Sequence, residues 1–238
     1  TLDEATDSRL IAHLLTAPVQ DGGQWDMFCA LADKYGVVPK EKMPETFHSG
    51  NSGMMNALLT RKLREYAVTL REAYAKGEGR EALGARKADM LAEIYRMLCI
   101  ALGEPPERFD WEYRDKDKAF HAERGLTPKA FFDRFVGRTL DDYISVINAP
   151  TADKPYYRTF TVQFLGNVKE GRQVKYLNLP AQEQKALAIA QLQDNEPVWF
   201  GCDVGKLLHR DSGIMGMHTF DYEALLGVRF GMDKAQRL

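Results

Sequence analysis

The feature that most constrains the fold is a change of hydrophobic period along the chain. Apolar residues recur at helical spacing from Ala57 to Gly77, and again from Ala85 to Leu102. A polar, Gly-containing connector separates the two stretches, so they are predicted to form an antiparallel helical hairpin. After Pro150 the period shortens, and β-branched and aromatic residues alternate. Helices followed by strands are typical of an α+β fold and not of a doubly wound sheet.

The second half of the chain carries several strand signals. Thr159–Leu165 and Gln173–Leu179 alternate on either side of a Gly-containing loop, which predicts a β-hairpin. Pro197–Gly201 is a nearly continuous apolar run and is predicted as a strand. Val228 and Phe230 indicate a further strand near the end of the chain.

The first 40 residues predict two helices separated by a turn at Pro18–Gly23, and the second helix is expected to stop at Gly36. Thr127 and Pro128 supply the N-cap and first residue of another helix. Between these regions, the alternating charges of Arg114–Lys118 predict solvated surface.

Charge and cysteine content exclude several classes of protein. The chain has 238 residues, 32 Lys plus Arg against 34 Asp plus Glu, and a net charge of -2, which disfavours nucleic acid as a partner. Cys29, Cys99 and Cys202 lie far apart, which argues against a disulfide scaffold or a thiolate zinc site and fits a reducing cytoplasm. No apolar run approaches the roughly 20 residues of a membrane span.

Simple catalytic motifs are not found. The five histidines form no H-E-x-x-H pair. Gly77–Gly79 lies between helices with no preceding strand, so it predicts neither a dinucleotide site nor a P-loop. Ser49–Gly53 lacks the spacing of a nucleophile elbow. No cysteine begins a helix beside a basic residue, and no metal or cofactor is expected.

Longer sequence segments indicate a function, because they and their order resemble the bleomycin hydrolase and aminopeptidase C family of papain-like cysteine peptidases. These segments span nearly the whole chain: Pro18–Met27, Lys34–Lys40, Met54–Asn56, Glu112–Asp117, Tyr143–Ser145, Asn148–Thr151 and Val198–Lys206. The resemblance implies a partial papain-like cysteine peptidase fold, with a helical hairpin insertion followed by an antiparallel, barrel-like β part.

The resemblance also implies a thiol peptidase that removes residues from the amino ends of peptides. The family's nucleophile lies in a Cys-Trp word, and its His and Asn lie near an Asn-Ser-Trp word. Neither word occurs in this sequence. We therefore expect an internal segment of a cytoplasmic enzyme that has no catalytic residue of its own and is inactive alone. The alternative is a non-catalytic oligomerisation or binding module derived from the family.

Substrate contacts are expected at two places by resemblance. Gly22 and Gly23, with Gln20 and Asp21 before them, match the pair beside which an extended substrate backbone runs, since glycine has no Cβ in the way. An ordinary turn between helices is the alternative. Pro197–Val198 resembles the strand that lines the pocket for the second substrate side chain, and core packing is the alternative there.

The resemblance suggests three parts of the chain. Residues 1–56 correspond to the helical half of the papain-like domain, residues 57–137 to a helical insertion, and residues 138–238 to an incomplete β-rich half. The insertion implies assembly into a hexamer. The expected partners are peptide substrates and further copies of the chain. A third hypothesis, nucleic-acid binding, is disfavoured by the overall charge.

Overall fold

The protein divides into two units. The computed structural model describes residues 1–20, 22–137, 139–202, 204–205, 208–216, 219–232 and 236. Unit 1 comprises Thr1–Thr139 together with Asn167–Arg172, and unit 2 comprises Leu140–Gly166 together with Gln173–Leu238. Helices dominate unit 1, whereas unit 2 holds most of the short strands described.

Some helices of unit 1 begin at polar residues whose side chains accept a hydrogen bond from a first-turn amide. Ser8 accepts a hydrogen bond from the Ile11 amide, and Thr127 caps its helix as predicted by accepting from the Ala130 amide. A short π-helix, Phe132–Val136, directly follows the helix that Thr127 caps. The helices of this unit are α1 (Arg9–Thr16), α2 (Trp25–Tyr35), α3 (Phe47–Gly50), α4 (Gly53–Ala75), α5 (Arg80–Leu102) and α6 (Pro128–Phe131).

The predicted helical hairpin is confirmed as α4 and α5. The Tyr66 hydroxyl donates to the Glu93 carboxylate across the pair. The pKa of Tyr66 is raised to about 12, mainly by burial of its hydroxyl and secondly by the hydrogen bond to the Glu93 carboxylate. In the connector between the two helices, both carboxylate oxygens of Glu78 accept hydrogen bonds from the Arg86 guanidinium of α5, at 2.7 and 2.8 Å. This two-pronged contact ties the connector to the first turns of α5 with more geometric specificity than a single hydrogen bond would.

A β-hairpin follows the helices. Strands β1 (Phe109–Arg114) and β2 (Phe120–Leu126) pair antiparallel, with an irregularity next to Phe109. The solvated surface predicted for Arg114–Lys118 is confirmed, since all of these residues except Asp115 are exposed. The strands on either side of the run were not predicted. In β1, exposed charged residues alternate with more buried aromatic residues, as the strand period of two requires.

The core of unit 1 lies under this hairpin. Phe109, Leu126 and Phe131 are buried together. The Trp111 ring meets the Phe131 ring edge-on, with 4.8 Å between centroids. Edge-to-face contacts of this kind add to the free energy gained by burial. The hairpin is thus held against α6 by aromatic packing.

Unit 2 contains a small mixed sheet. Its strands are β3 (Ser145–Ile147), β4 (Thr159–Phe160) and β5 (Tyr176–Asn178), in the order β3-β5-β4. The predicted hairpin is confirmed in the antiparallel β4-β5 pair, although its ladder is short. Strand β3 runs parallel to β5, so the pairing is not antiparallel throughout.

Asn178 organises the loop beside this sheet. Its side chain is 0% exposed. The amide nitrogen donates to the carbonyls of Ala149 and Lys154 at 3.0 and 2.7 Å, and the amide oxygen accepts from the Ala149 nitrogen at 2.9 Å. The loop backbone therefore remains hydrogen-bonded although it is only partly open to water.

Two predicted strands of unit 2 were wrong. Neither Pro197–Gly201 nor the region of Val228 and Phe230 belongs to a strand within the described residues. The other α-helices and strands described in unit 2 are α7 (Ala181–Gln193), β6 (Leu208–His209), β7 (Ile214–Met215) and α8 (Tyr222–Leu226), and short 3-10 helices lie at Lys40–Lys42 and Leu140–Asp142. No helix in the described part of the chain combines the length and apolar character that a bilayer crossing needs.

Candidate functional site

The loop before α2 presents an open stretch of backbone. Gln20, Gly22 and Gly23 are all exposed, and Asp21 lies outside the described residues. A Cβ built on either glycine would meet no atom within 4 Å. Gly22 has a φ of 146°, a conformation that side-chain-bearing residues rarely adopt. A second polypeptide can therefore approach this backbone closely without meeting a side chain.

Helix α2 fixes the position of this loop. It starts at Trp25, two residues after the second glycine, and buries Cys29, Ala30 and Ala32. Because three small residues face inward, neighbouring segments can pack close to the helix axis. The loop therefore leads directly into a well-anchored helix.

Segment 167–172, which belongs to unit 1, clamps α2 from the side. The Asn167 amide donates to the Met27 carbonyl at 3.2 Å. Arg172 pairs with Asp33 at 2.9 Å, and Lys34 pairs with Glu170. These ion pairs are partly exposed, so solvent screening weakens the stabilisation that each contributes.

The backbone of this clamp also packs closely against α2. A Cβ added to Gly171 would lie 2.9 Å from the Cβ of Ala30. The hydrogen bond to Glu170 raises the pKa of Lys34, and the same contact lowers the pKa of Glu170. The charged forms of both groups thus favour the clamped arrangement.

The far end of α2 is held by α6. Gly36 ends the helix with a φ of 77°, and an added Cβ would lie only 2.2 Å from the Pro128 carbonyl carbon. The Val37 amide donates to the Pro128 carbonyl oxygen at 3.2 Å. The predicted stop at Gly36 is confirmed, and its cause is this close approach as well as the turn. Helix α2 is thus held along its side and at its C-terminal end.

Pro197 and Val198 lie together in unit 2, after α7. Pro197 is exposed, and its carbonyl accepts a hydrogen bond from the Gln191 side chain at 3.0 Å. Val198 is half-buried. The preceding Glu196 carboxylate accepts from the Tyr143 hydroxyl at 3.3 Å. The segment is thus held at its start and open beyond it.

The three thiols lie in different surroundings. Cys29 is 0% exposed in α2, so its thiol is closed to substrates. Cys99 is half-buried on α5, where its hydrogen bond with the Tyr95 hydroxyl raises the pKa of that phenol. Cys202 is exposed. Among the described residues, no three His, Cys, Asp or Glu side chains form a group that could hold a metal ion.

The charged cluster on the β1-β2 hairpin was missed by the sequence reasoning. Arg124 contacts Asp110 at 3.2 Å and Glu112 at 2.5 Å. At the turn, His121 and Asp115 are 2.8 Å apart, and this hydrogen bond lowers the pKa of the carboxyl group. The aromatic residues at every second position, starting at Phe109, were the signal for strands. The Arg124 pairs join the two strands, and the His121–Asp115 pair stabilises the turn.

Comparison with known proteins shows what the chain is similar to. It is 48% identical over 238 residues to the aminopeptidase C of Streptococcus thermophilus, covering 100% of this chain and 54% of that protein. It is 41% identical over 238 residues to the bleomycin hydrolase of Gallus gallus, covering 99% of this chain and 52% of that protein. The chain therefore spans about half the length of the curated relatives it matches.

A solved structure has the same fold as this chain. The chain superposes on PepW from Lactobacillus rhamnosis with a TM-score of 0.95 and 52% identity, covering 100% of this chain and 53% of that one. The predicted α+β fold, a partial papain-like fold, is confirmed. The model of the Peptidase C1-like family matches residues 1–238. Because this family model matches the whole sequence, the chain belongs to the Peptidase C1-like family.

Proposed function

We propose that this chain is a segment of a cysteine-type aminopeptidase, in which it supplies one wall of the substrate cleft and not the nucleophile. The observation that carries the proposal is the open Gly22–Gly23 backbone in front of a helix anchored on its side and at its end. Family membership and the names of the relatives support the reaction class.

The proposed reaction is thiol acyl transfer. A cysteine thiolate attacks the carbonyl of the first peptide bond, and the C–N bond breaks as a histidine gives its proton to the leaving amine. Water, deprotonated by the histidine, then hydrolyses the thioester and frees the thiolate. An asparagine orients the histidine. Cys29 is buried, and none of the three cysteines is followed by tryptophan as the family's nucleophile is. We therefore assign the chemical step to polypeptide outside this chain, and expect the chain alone to be inactive.

The role of the glycines is to let the substrate backbone come close. An extended peptide that lies along Gly22 and Gly23 can form main-chain hydrogen bonds there, because no side chain separates the two backbones. Gln20 and Asp21 lead into this contact. Holding the peptide in one orientation lowers the entropy that the reaction must lose at the transition state.

Further parts of the proposal concern specificity and assembly. Pro197 and Val198 contact a substrate side chain, with the half-buried valine as the apolar surface. The three-part organisation into residues 1–56, 57–137 and 138–238 follows the family pattern. The hairpin of α4 and α5 takes part in a hexamer, for which the exposed Leu91, Tyr95 and Ile100 provide apolar surface. Peptides are the substrates, and the cytoplasm is the compartment.

Gly23→Val tests the substrate contact. The variant is made in a chimera in which this chain replaces the matching part of the Streptococcus thermophilus aminopeptidase C. Gly23 has an ordinary φ and open space around its Cβ position, so the thermal midpoint should not change. The valine should block the substrate backbone and lower kcat/KM about tenfold or more.

Gly166→Val is the matched control. Gly166 is another exposed loop glycine with an ordinary φ and no atom near its Cβ position. This variant should keep both the midpoint and kcat/KM. A Gly23→Val chimera as active as the control would contradict the proposed substrate contact.

The absence of the family's Cys-Trp and Asn-Ser-Trp motifs from this sequence also supports a second candidate function. A non-catalytic oligomerisation or binding module would need neither motif, and the sequence contains neither. A coding frame that continues into Cys-Trp on one side and Asn-Ser-Trp on the other would exclude this candidate.

A further inference from the structure

One face of α4 holds α1 and the residues before it. The Arg64 guanidinium donates to the carbonyls of Leu15 and Thr16, at 2.8 Å in both cases. Arg71, about two helical turns further along α4, donates to the carbonyl of Glu4. Because residues two turns apart project from the same side of a helix, both arginines face the N-terminal segment. Helix α4 therefore binds this segment at two separate points.

The Arg64 contact caps the C-terminal end of α1. The last four carbonyls of an α-helix have no partner within the helix, and those of Leu15 and Thr16 belong to this group. Glycine in a left-handed conformation is the common cap, but α1 ends at Ala17, with φ −145° and ψ 73°. A guanidinium at this end also interacts favourably with the helix dipole. Arg64 thus supplies, from another helix, the cap that the sequence after α1 lacks.

Helix α1 depends on such contacts because its own packing is sparse. All eight of its residues are described, and Ile11 alone among them is buried. Helices this short are marginal in water and take most of their stability from tertiary contacts. Loss of the Arg64 contact should therefore let the last turn of α1 fray.

Fraying of this turn would reach the glycine loop. Five residues separate Thr16 from Gly22, and Pro18 is among them. The proline ring fixes its own φ and restricts the preceding Ala17, so this link is stiffer than an ordinary loop. Gly22 and Gly23 are exposed, so their own packing does little to hold them. The position of the loop is therefore set from both ends, by the anchored α2 and by the capped α1.

We propose that Arg64 is a positioning residue, which caps α1 and thereby holds Gly22 and Gly23 where the substrate backbone lies. This inference rests on the proposed substrate contact of the two glycines. Without the cap, the loop adopts its binding-competent position only part of the time, and substrate binds only to that fraction. The apparent affinity falls accordingly, whereas a substrate that has bound reacts at the usual rate.

Arg64→Ala in the Streptococcus thermophilus chimera tests this role. On a slowly cleaved aminoacyl substrate, for which KM reports binding, KM should rise about three- to tenfold. The kcat per active site, counted with a thiol-directed epoxide, should stay nearly unchanged. Amide exchange in the last turn of α1 should rise about tenfold, while α5 keeps its protection. Arg64→Lys should restore part of both effects, because lysine keeps the charge but not the two-pronged geometry.

Arg61→Ala is the matched control. Arg61 lies on the same helix, and its side chain is 81% exposed and lies 3.6 Å from the Glu65 carboxylate. This variant should keep KM and the exchange of α1. A merely structural role of Arg64 would lower the thermal midpoint and the number of active sites but leave KM at the value of the control.

Two results would overturn the proposal. One is exchange of α1 in Arg64→Ala equal to that in Arg61→Ala, and the other is an equal KM of these two variants. If KM is equal but Gly23→Val still lowers kcat/KM, the role of Arg64 fails and the substrate contact stands. If Gly23→Val has no effect either, the proposed substrate contact fails as well.

Discussion

Gly36→Ala probes the anchoring of α2 on which the candidate site depends. Gly36 has φ 77° and ψ −163°, a conformation that is essentially restricted to glycine. The new methyl group would lie 2.2 Å from the Pro128 carbonyl carbon and 2.3 Å from both the Pro128 oxygen and the Lys129 nitrogen. All three are backbone atoms, so α6 itself must move away.

Three terms set the expected loss of stability. The unfavourable backbone conformation costs about 1–3 kcal/mol. Forcing a methyl group into a filled space costs about 1–3 kcal/mol more. Alanine restricts the unfolded chain and offsets about 0.4–1 kcal/mol of this. The free energy of unfolding should therefore fall by about 1–6 kcal/mol, a large part of the 5–15 kcal/mol typical of a domain.

Urea unfolding followed by tryptophan fluorescence measures this loss, because Trp111 lies in the aromatic core beside α6. Two other glycines separate the terms. Gly77→Ala has an unfavourable φ of 84° but open space, so it should cost only about 1–2 kcal/mol. Gly84→Ala lies inside α5 with open space and should stabilise the protein by about 1 kcal/mol.

The difference in stability loss between Gly36→Ala and Gly77→Ala tests the close approach of α2 to α6. If Gly36→Ala costs no more than Gly77→Ala, the close approach of α2 to α6 is absent in solution, and the reasoning about the anchored loop fails. Exchange of α2 amides should also rise in Gly36→Ala and remain unchanged in Gly84→Ala.

Three further predictions concern other contacts. Asn178→Ala removes three partly buried hydrogen bonds of a fully buried side chain and should lower the free energy of unfolding by about 3 kcal/mol, and a loss below about 1 kcal/mol would contradict the network. Gly171→Val crowds Ala30 and should speed amide exchange in α2, which unchanged exchange would disprove. The hydrogen bond with His121 holds the pKa of Asp115 below its ordinary 3.8, so the stability it adds is complete above that pH and lost as pH falls below it. NMR of the hairpin should show this loss, and Asp115→Asn should abolish the dependence.

Local sequence signals were sufficient for the helices. The period from Ala57 onward and the glycines at Gly77 and Gly103 located α4 and α5, because an amphipathic helix carries its whole pattern within a few turns. The cap at Thr127 was equally local. The β1-β2 hairpin was not predicted, because the alternating charges of its turn indicate only exposed surface, although aromatic residues alternate along β1.

The strands of unit 2 show the opposite case. Pro197–Gly201 has a real preference for extended structure, but a ladder needs a neighbour, and none lies within the described residues. A sequence pattern reports the preference of a segment and not the presence of its partner.

The candidate site was predicted only in part. The glycine pair was identified through the family resemblance, and the structure adds that Gly22 has a φ of 146° with open space around its Cβ position. The clamp on α2 could not be predicted, because Asn167 and Met27 are 140 positions apart in sequence. Contacts at such separation leave no periodic signal in either segment.

Aminopeptidase activity of the Streptococcus thermophilus chimera, measured beside the chain alone, tests the central claim most directly. On an aminoacyl fluorogenic substrate, the account predicts turnover by the chimera that a thiol-directed epoxide abolishes, and no turnover by the chain alone. A folded but inactive chimera would contradict the claim that this chain forms a working wall of the cleft. Epoxide-sensitive turnover by the chain alone would contradict the claim that the nucleophile lies elsewhere.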